Sequence, residues 1–156
     1  FGLAGPYERL SGRIHFEADP RLPANRAIVD LDRAPTNAAG RVAFAADFYL
    51  LKPQRAESGN GVVLVDVLNR GRKRILYYFN DAPLRSAPLM ASDVGDAMLL
   101  REGYTLLWVG WQFDVPRNPE LMRLYAPVPT ADGRRLPLTL RDRGGLAGAD
   151  PVGRLQ

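Results

Sequence analysis

Val62-Val63-Leu64-Val65-Asp66-Val67-Leu68 and, further along, Tyr104-Thr105-Leu106-Leu107-Trp108-Val109-Gly110-Trp111 are the stretches on which the fold turns. Both are nearly continuous apolar runs, the pattern of strands covered on both faces in a parallel sheet. Between them lie a polar loop, Asn69-Arg70-Gly71-Arg72-Lys73-Arg74, and a segment carrying Pro83 and Pro88. Residues 93–103 then carry helix punctuation, with Asp93 as N-cap, Arg101 in the last turn and Gly103 as the left-handed C-terminal residue. Strand, loop, helix and strand make a β-α-β unit, which predicts parallel strands joined by a right-handed crossover.

Upstream the pattern changes to period two. Ile14, Phe16 and Ala18 alternate with Arg13, His15 and Glu17, predicting a half-buried strand over 7–19 that ends at Pro20 and Pro23. A short strand is predicted over 27–31. A third, over 41–52, places Val42, Phe44, Ala46, Phe48 and Leu50 on one side. Residues 57–61 form the tight connection to Val62. Downstream, Pro116, Pro119, Pro127, Pro129 and Pro137 break up the chain. Ala131-Asp132-Gly133 predicts a hairpin turn between strands at 125–128 and 136–140. The stretch from Arg143 to Gln156 reads as a Gly-rich tail or linker.

Composition excludes several function classes. At 156 residues, 46% apolar and 24% charged, the chain has the make-up of one soluble globular domain or a piece of one. Of the 21 basic residues only Lys52 and Lys73 are lysines, and the net charge of +4 is spread along the chain apart from Arg70, Arg72, Lys73 and Arg74. A nucleic-acid footprint needs clustering on one face, so no nucleic-acid partner is expected. With no cysteine, disulfides, thiolate metal sites and thiol nucleophiles are out. No apolar run approaches the ~18 residues of a membrane-spanning helix. The chain opens at Phe1 with no signal-peptide pattern in view, and its compartment is left open.

The tests for chemistry are mostly negative. His15 is the single histidine, and Asp30 and Asp32 form a D-x-D without calcium-loop surroundings, so neither a metal nor a cofactor is expected. Ser11, Ser58, Ser86 and Ser92 all lie outside a G-x-S-x-G elbow, and His15 precedes every strand able to present a nucleophile. No catalytic residue is therefore expected within the chain. No Walker or dinucleotide glycine pattern follows Val62–Leu68. Asn69, Arg70 and Gly71, however, follow a strand's carboxyl end, where α/β proteins place ligands. Their backbone N–H groups suit an anion or a developing oxyanion; a basic surface turn is the equal alternative. Trp111, Gln112 and Asp114 occupy the matching position after the second apolar run, either lining a substrate cleft or packing and satisfying their own loop.

The runs from Val62 to Gly71, from Gly95 to Tyr104 and from Trp108 to Val115 resemble a bacterial family of α/β-hydrolase-domain proteins. Gly5-Pro6-Tyr7, Asp19-Pro20, Asn25-Arg26, Asp30-Leu31-Asp32 and Ala34-Pro35-Thr36-Asn37 extend the likeness over most of residues 5–129. Asn-Arg-Gly-Arg-Lys and Gly-Trp-Gln-x-Asp-Val are its more specific pieces. The resemblance implies a partial α/β-hydrolase-like sheet of the α/β class, with antiparallel β-rich N-terminal strands followed by the β-α-β unit. It also implies that 1–142 is the N-terminal portion of such a domain and 143–156 a tail. Asn69-Arg70-Gly71 would take the oxyanion-turn position, with Asn-Arg-Gly where many members carry His-Gly. Family members are longer, so serine, acid and histidine would follow Gln156.

Three readings result. The first is the front of a carboxylic-ester-type hydrolase acting on a small-molecule ester, completed by the remainder of a longer chain or by a partner chain. The second is a non-catalytic β-rich binding or accessory module with an exposed aromatic face near Trp111. The third is an inactive hydrolase remnant.

Overall fold

The computed structural model describes residues 1–84, 90–131 and 134–135. They form a mixed α/β architecture with a mostly antiparallel sheet and two short helices. β1 (Tyr7–Ala18) and β2 (Val42–Pro53) are long antiparallel neighbours, in register from Tyr7↔Pro53 to Ala18↔Val42. β4 (Thr105–Val109) joins β2 antiparallel, and β3 (Val63–Val67) pairs with β4 in parallel, giving the order β1-β2-β4-β3. Beyond the end of β4, β5 (Leu124–Tyr125) pairs with Ala45 and Ala46 of β2. α1 (Ile75–Phe79) and α2 (Met98–Arg101) lie between β3 and β4 in sequence.

Both helices pack on one face of the sheet. Tyr49 and Leu51 of β2, Leu106 and Trp108 of β4, and Leu68 beyond β3 form a single core with Ile75, Leu76, Ala97, Leu99 and Leu100. Trp108 is 1% exposed, its ring edge-on to Tyr49 at 5.6 Å. The Trp108 indole N–H donates to Asp66 Oδ2 at 2.8 Å, and the same oxygen accepts the backbone N–H of Arg74 at 3.2 Å. This explains an acid in an apolar run: Asp66 satisfies a buried indole and anchors the N-terminal end of α1.

The opposite face is different. Leu10, Leu50, Leu107 and Val65 stand in one transverse row across four strands, with Phe48, Val109 and Val67 in the next. Leu50, Leu107, Phe48 and Val109 are half-buried, Val65 is exposed, and Val67 is 76% exposed. The expectation that Val62–Leu68 is covered on both faces is thus corrected. β3 is an edge strand among the described residues, open on its odd-numbered side, because helices occupy only one face. β4 is flanked on both edges by β2 and β3, but its Leu107 and Val109 stand on the same open face, so cover on both faces is corrected for this run too. The period-two pattern of β2 likewise identified the strand, but Phe44, Phe48 and Leu50 lie opposite the side on which the helices pack.

Three further expectations change. Residues 27–31 are turn and the start of a 3₁₀ segment at Leu31–Arg33, not a strand, since Asp30 takes a left-handed conformation there. The helix expected over 93–103 is split into a 3₁₀ segment, Ala91–Val94, and α2. Gly95 (φ 63°) and Ala97 (φ 57°) break it, with Gly95 so close to Asn80 that a Cβ would lie 1.9 Å from the Asn80 carbonyl oxygen. Asp93 accordingly reaches back to accept the Met90 N–H at 3.1 Å instead of capping a long helix. Gly103 does terminate α2 in the left-handed region, where the N–H of Tyr104 reaches Leu99 O at 3.1 Å. The expected hairpin is a two-residue ladder, β6 (Thr130–Ala131) with β7 (Arg134–Arg135), while Tyr125 belongs to the main sheet. The predicted strand at 136–140 and the tail at 143–156 lie outside the described residues.

Asn80 joins the helices. It is fully buried, accepts the Leu99 N–H on its side chain at 3.1 Å, and accepts the Asp96 N–H on its carbonyl at 2.7 Å.

Candidate functional site

The sequence-predicted residues converge at the carboxyl ends of the parallel pair. After β3 the chain turns through Arg70 (φ 54°) and Gly71 (φ 75°), closed by the Arg72 N–H donating to Asn69 O at 3.3 Å. Two successive left-handed residues define a type I′ turn. Gly71 is needed twice over, since a Cβ there would sit 2.5 Å from the carbonyl oxygen of Met122.

The loop after β4 locks onto this turn. Gln112 Oε1 accepts the Arg70 backbone N–H at 2.7 Å. The Asp114 carboxylate pairs with the Arg70 guanidinium, which also donates to Asp114 O at 3.1 Å. The Trp111 indole N–H donates to Leu68 O at 2.5 Å. Asn69, Arg70, Gly71, Trp111, Gln112 and Asp114 therefore form one cluster, with Asn69 and Arg70 exposed and Gly71 buried. Of the two sequence alternatives for Gln112 and Asp114, the hydrogen bonds show the one in which they satisfy loop groups. Trp108 is a core aromatic, while Trp111 is 54% exposed with its indole N–H already engaged.

Beside the cluster lies a cavity of about 670 Å³ that the sequence reading did not anticipate. Met122 is the shared wall: it lines the cavity, and its N–H donates to Gly71 O at 3.0 Å. Lys73, Asp47, Tyr49 and Tyr125 also line it. Lys73 is 8% exposed; its ammonium donates to Glu120 O at 3.2 Å and lies 5.5 Å from the Tyr49 ring centre. Burial pushes its pKa below the usual lysine value, opposed by the negative charges of Glu120 and Asp47. Burial also raises the Tyr49 phenol, opposed by Arg9. The Asp47 carboxylate is engaged, accepting from the Arg123 N–H at 3.0 Å and the Tyr125 hydroxyl at 3.1 Å, with Arg13 Nε at 3.6 Å. The one sequence signal for this site is that Lys73 is a lysine in a chain whose basic residues are otherwise nearly all arginine.

The remaining candidates stay apart. His15 is exposed on β1, and Asp30 pairs with Arg33 at 3.7 Å. Ser58 and Ser92 lie in 3₁₀ segments, Ser11 lines the cavity, and Ser86 lies outside the described residues. Among the described residues no group of three or more His, Cys, Asp or Glu is arranged to hold a metal ion, and no helix is long and apolar enough to cross a membrane. The chain matches no known protein family, no curated protein and no solved structure.

Proposed function

We propose that this chain forms the front part of a carboxylic-ester-type hydrolase, with Asn69–Gly71 as its oxyanion-side turn and Trp111, Gln112 and Asp114 as the facing loop. The supporting observation is the locking of that turn to the loop over the carboxyl ends of parallel β3 and β4. Ligand sites of open parallel sheets lie at such ends. In this reading the Arg70 N–H, held by the neutral Gln112 amide oxygen, is a donor oriented in advance. A developing oxyanion that displaced Gln112 would form the stronger, charge-assisted bond. One such donor contributes about 3 kcal/mol of transition-state stabilisation. The attacking serine, acid and histidine come from the remainder of a longer chain or from a partner chain.

The test is hydrolysis of a chromogenic short acyl ester by the natural gene product, before and after treatment with a serine-directed phosphonate. Turnover abolished by the phosphonate, with the label on a serine outside the elements described above, is the expected result. No turnover across short acyl esters, or turnover that the phosphonate leaves intact, overturns the reading.

One observation favours the second reading, a binding module: Trp111 and Phe113 present exposed aromatic surface beside the turn. Retention on an immobilised sugar or peptide, lost in Trp111→Ala, with no ester turnover, would establish it.

A further inference from the structure

The cavity beneath residues 118–122 carries a charge that its own walls leave underused. An ammonium has three donors, and among the described residues Lys73 commits one, to Glu120 O. The acid on the same wall, Asp47, already receives a backbone N–H, the Tyr125 hydroxyl and Arg13. The charges of Glu120 and Asp47 offset the burial of Lys73 in part, its pKa still lying below the usual lysine value, and an arriving anion would hydrogen-bond the remaining ammonium donors. The rest of the wall is largely apolar or aromatic, with Tyr49, Leu121 and Met122 among its residues.

The approach is basic as well. An adjoining cavity of about 570 Å³ shares Tyr125 and Leu121 with the first and adds Arg13, Arg117 and Arg123. Arg13 stacks on the Tyr125 ring at 3.7 Å, and Arg123 lies 5.3 Å from its centre. Grouped cations at a concave mouth raise the local concentration of anions. Arg123 Nε is buried there with no hydrogen-bond partner among the described residues.

We propose that this cavity binds a small aromatic or branched monocarboxylate, its carboxylate on Lys73 Nζ and its apolar body against Tyr49 and Met122. A single negative charge matches one buried ammonium, whereas Asp47 and Glu120 nearby disfavour a dianion such as phosphate. The volume is that of ordinary small-molecule sites, roughly 300–1,000 Å³. This inference does not depend on the hydrolase reading, because neither the turn nor a nucleophile takes part.

The experiment is calorimetric titration of the protein with benzoate, its neutral isostere benzamide, and inorganic phosphate. Benzoate should bind with a Kd of about 1 mM or tighter, and benzamide and phosphate at least about tenfold more weakly. Lys73→Met, which keeps the stem and removes the charge, should weaken benzoate by about tenfold or more while the thermal midpoint holds or rises. A second measurement needs no variant: saturating benzoate should protect Lys73, but not Lys52, the other lysine of the chain, from acetylation read by peptide mass. The proposal is overturned if benzoate fails to bind up to about 10 mM. Equal binding of benzamide or phosphate, unchanged binding by Lys73→Met, or no protection of Lys73 would also overturn it.

Discussion

The two faces of the sheet are built from the same strands and comparable residues, yet they have opposite fates. On one, Leu106 is fully buried and Trp108 is sealed under Leu76, Leu99 and Leu100. On the other, Leu107, one residue from each of them, lies in an open row with Leu10, Leu50 and Val65. Side-chain period does not separate these faces, because both are apolar. What separates them is where α1 and α2 fall, and that depends on Asp66 and Asn80, polar residues that pin the two helices to one side.

The largest test of this contrast is Trp108→Ala. It should lower stability by about 3–5 kcal/mol, through lost burial and a cavity left behind, and should leave Asp66 Oδ2 with only the Arg74 N–H. Urea denaturation measures it, and a loss under about 1 kcal/mol would mean the helix-side core is not tight.

Lys73→Met should act in the opposite direction. Replacing a poorly compensated buried cation by an apolar side chain is expected to be neutral or to add about 1–2 kcal/mol. The pH dependence carries the same information. With the Lys73 pKa depressed in the fold, the unfolded chain binds more protons between the folded value and 10.5. Stability contributed by this group therefore rises with pH over that window, and the rise should vanish in Lys73→Met. Denaturation midpoints from neutral pH to pH 10 decide the matter.

Tyr7 supplies the converse slope at the rim of the covered face. Its hydroxyl donates to Leu100 O at 3.0 Å and Tyr104 O at 2.9 Å, and burial raises its pKa to about 12. Its contribution is full below 10 and is lost as pH rises from 10 towards 12. Tyr7→Phe should flatten that alkaline loss.

The smallest effect is expected on the open face. Val65→Thr should change stability by no more than about 0.5 kcal/mol. If the natural protein instead loses about 1–2 kcal/mol or more, that face is covered in it. The same variant on the separate chain would then show how much of the cover lies elsewhere.

The fold was legible wherever local rules decide. β1, β2 and β4 follow from alternation and apolar runs, and the stop at Gly103 follows from its left-handed conformation. The candidate turn was also legible, since Asn69, Arg70 and Gly71 end one strand and Trp111, Gln112 and Asp114 end its parallel neighbour. The failures have a common cause. Ile75–Phe79 is too short to show a helical period, and α1 forms because Asp66 and Asn80 hold its ends. The helix expected over 93–103 is broken where Gly95 meets the Asn80 backbone, a contact between distant segments.

By itself, then, the sequence determined where β1, β2 and β4 run and where α2 stops, because dihedral preference and period are local properties. Tertiary structure alone decided which face the helices cover, that Val63–Val67 is an edge strand among the described residues, and that Lys73 is buried beside a cavity. Those outcomes depend on burial, and burial is set by what else arrives in space.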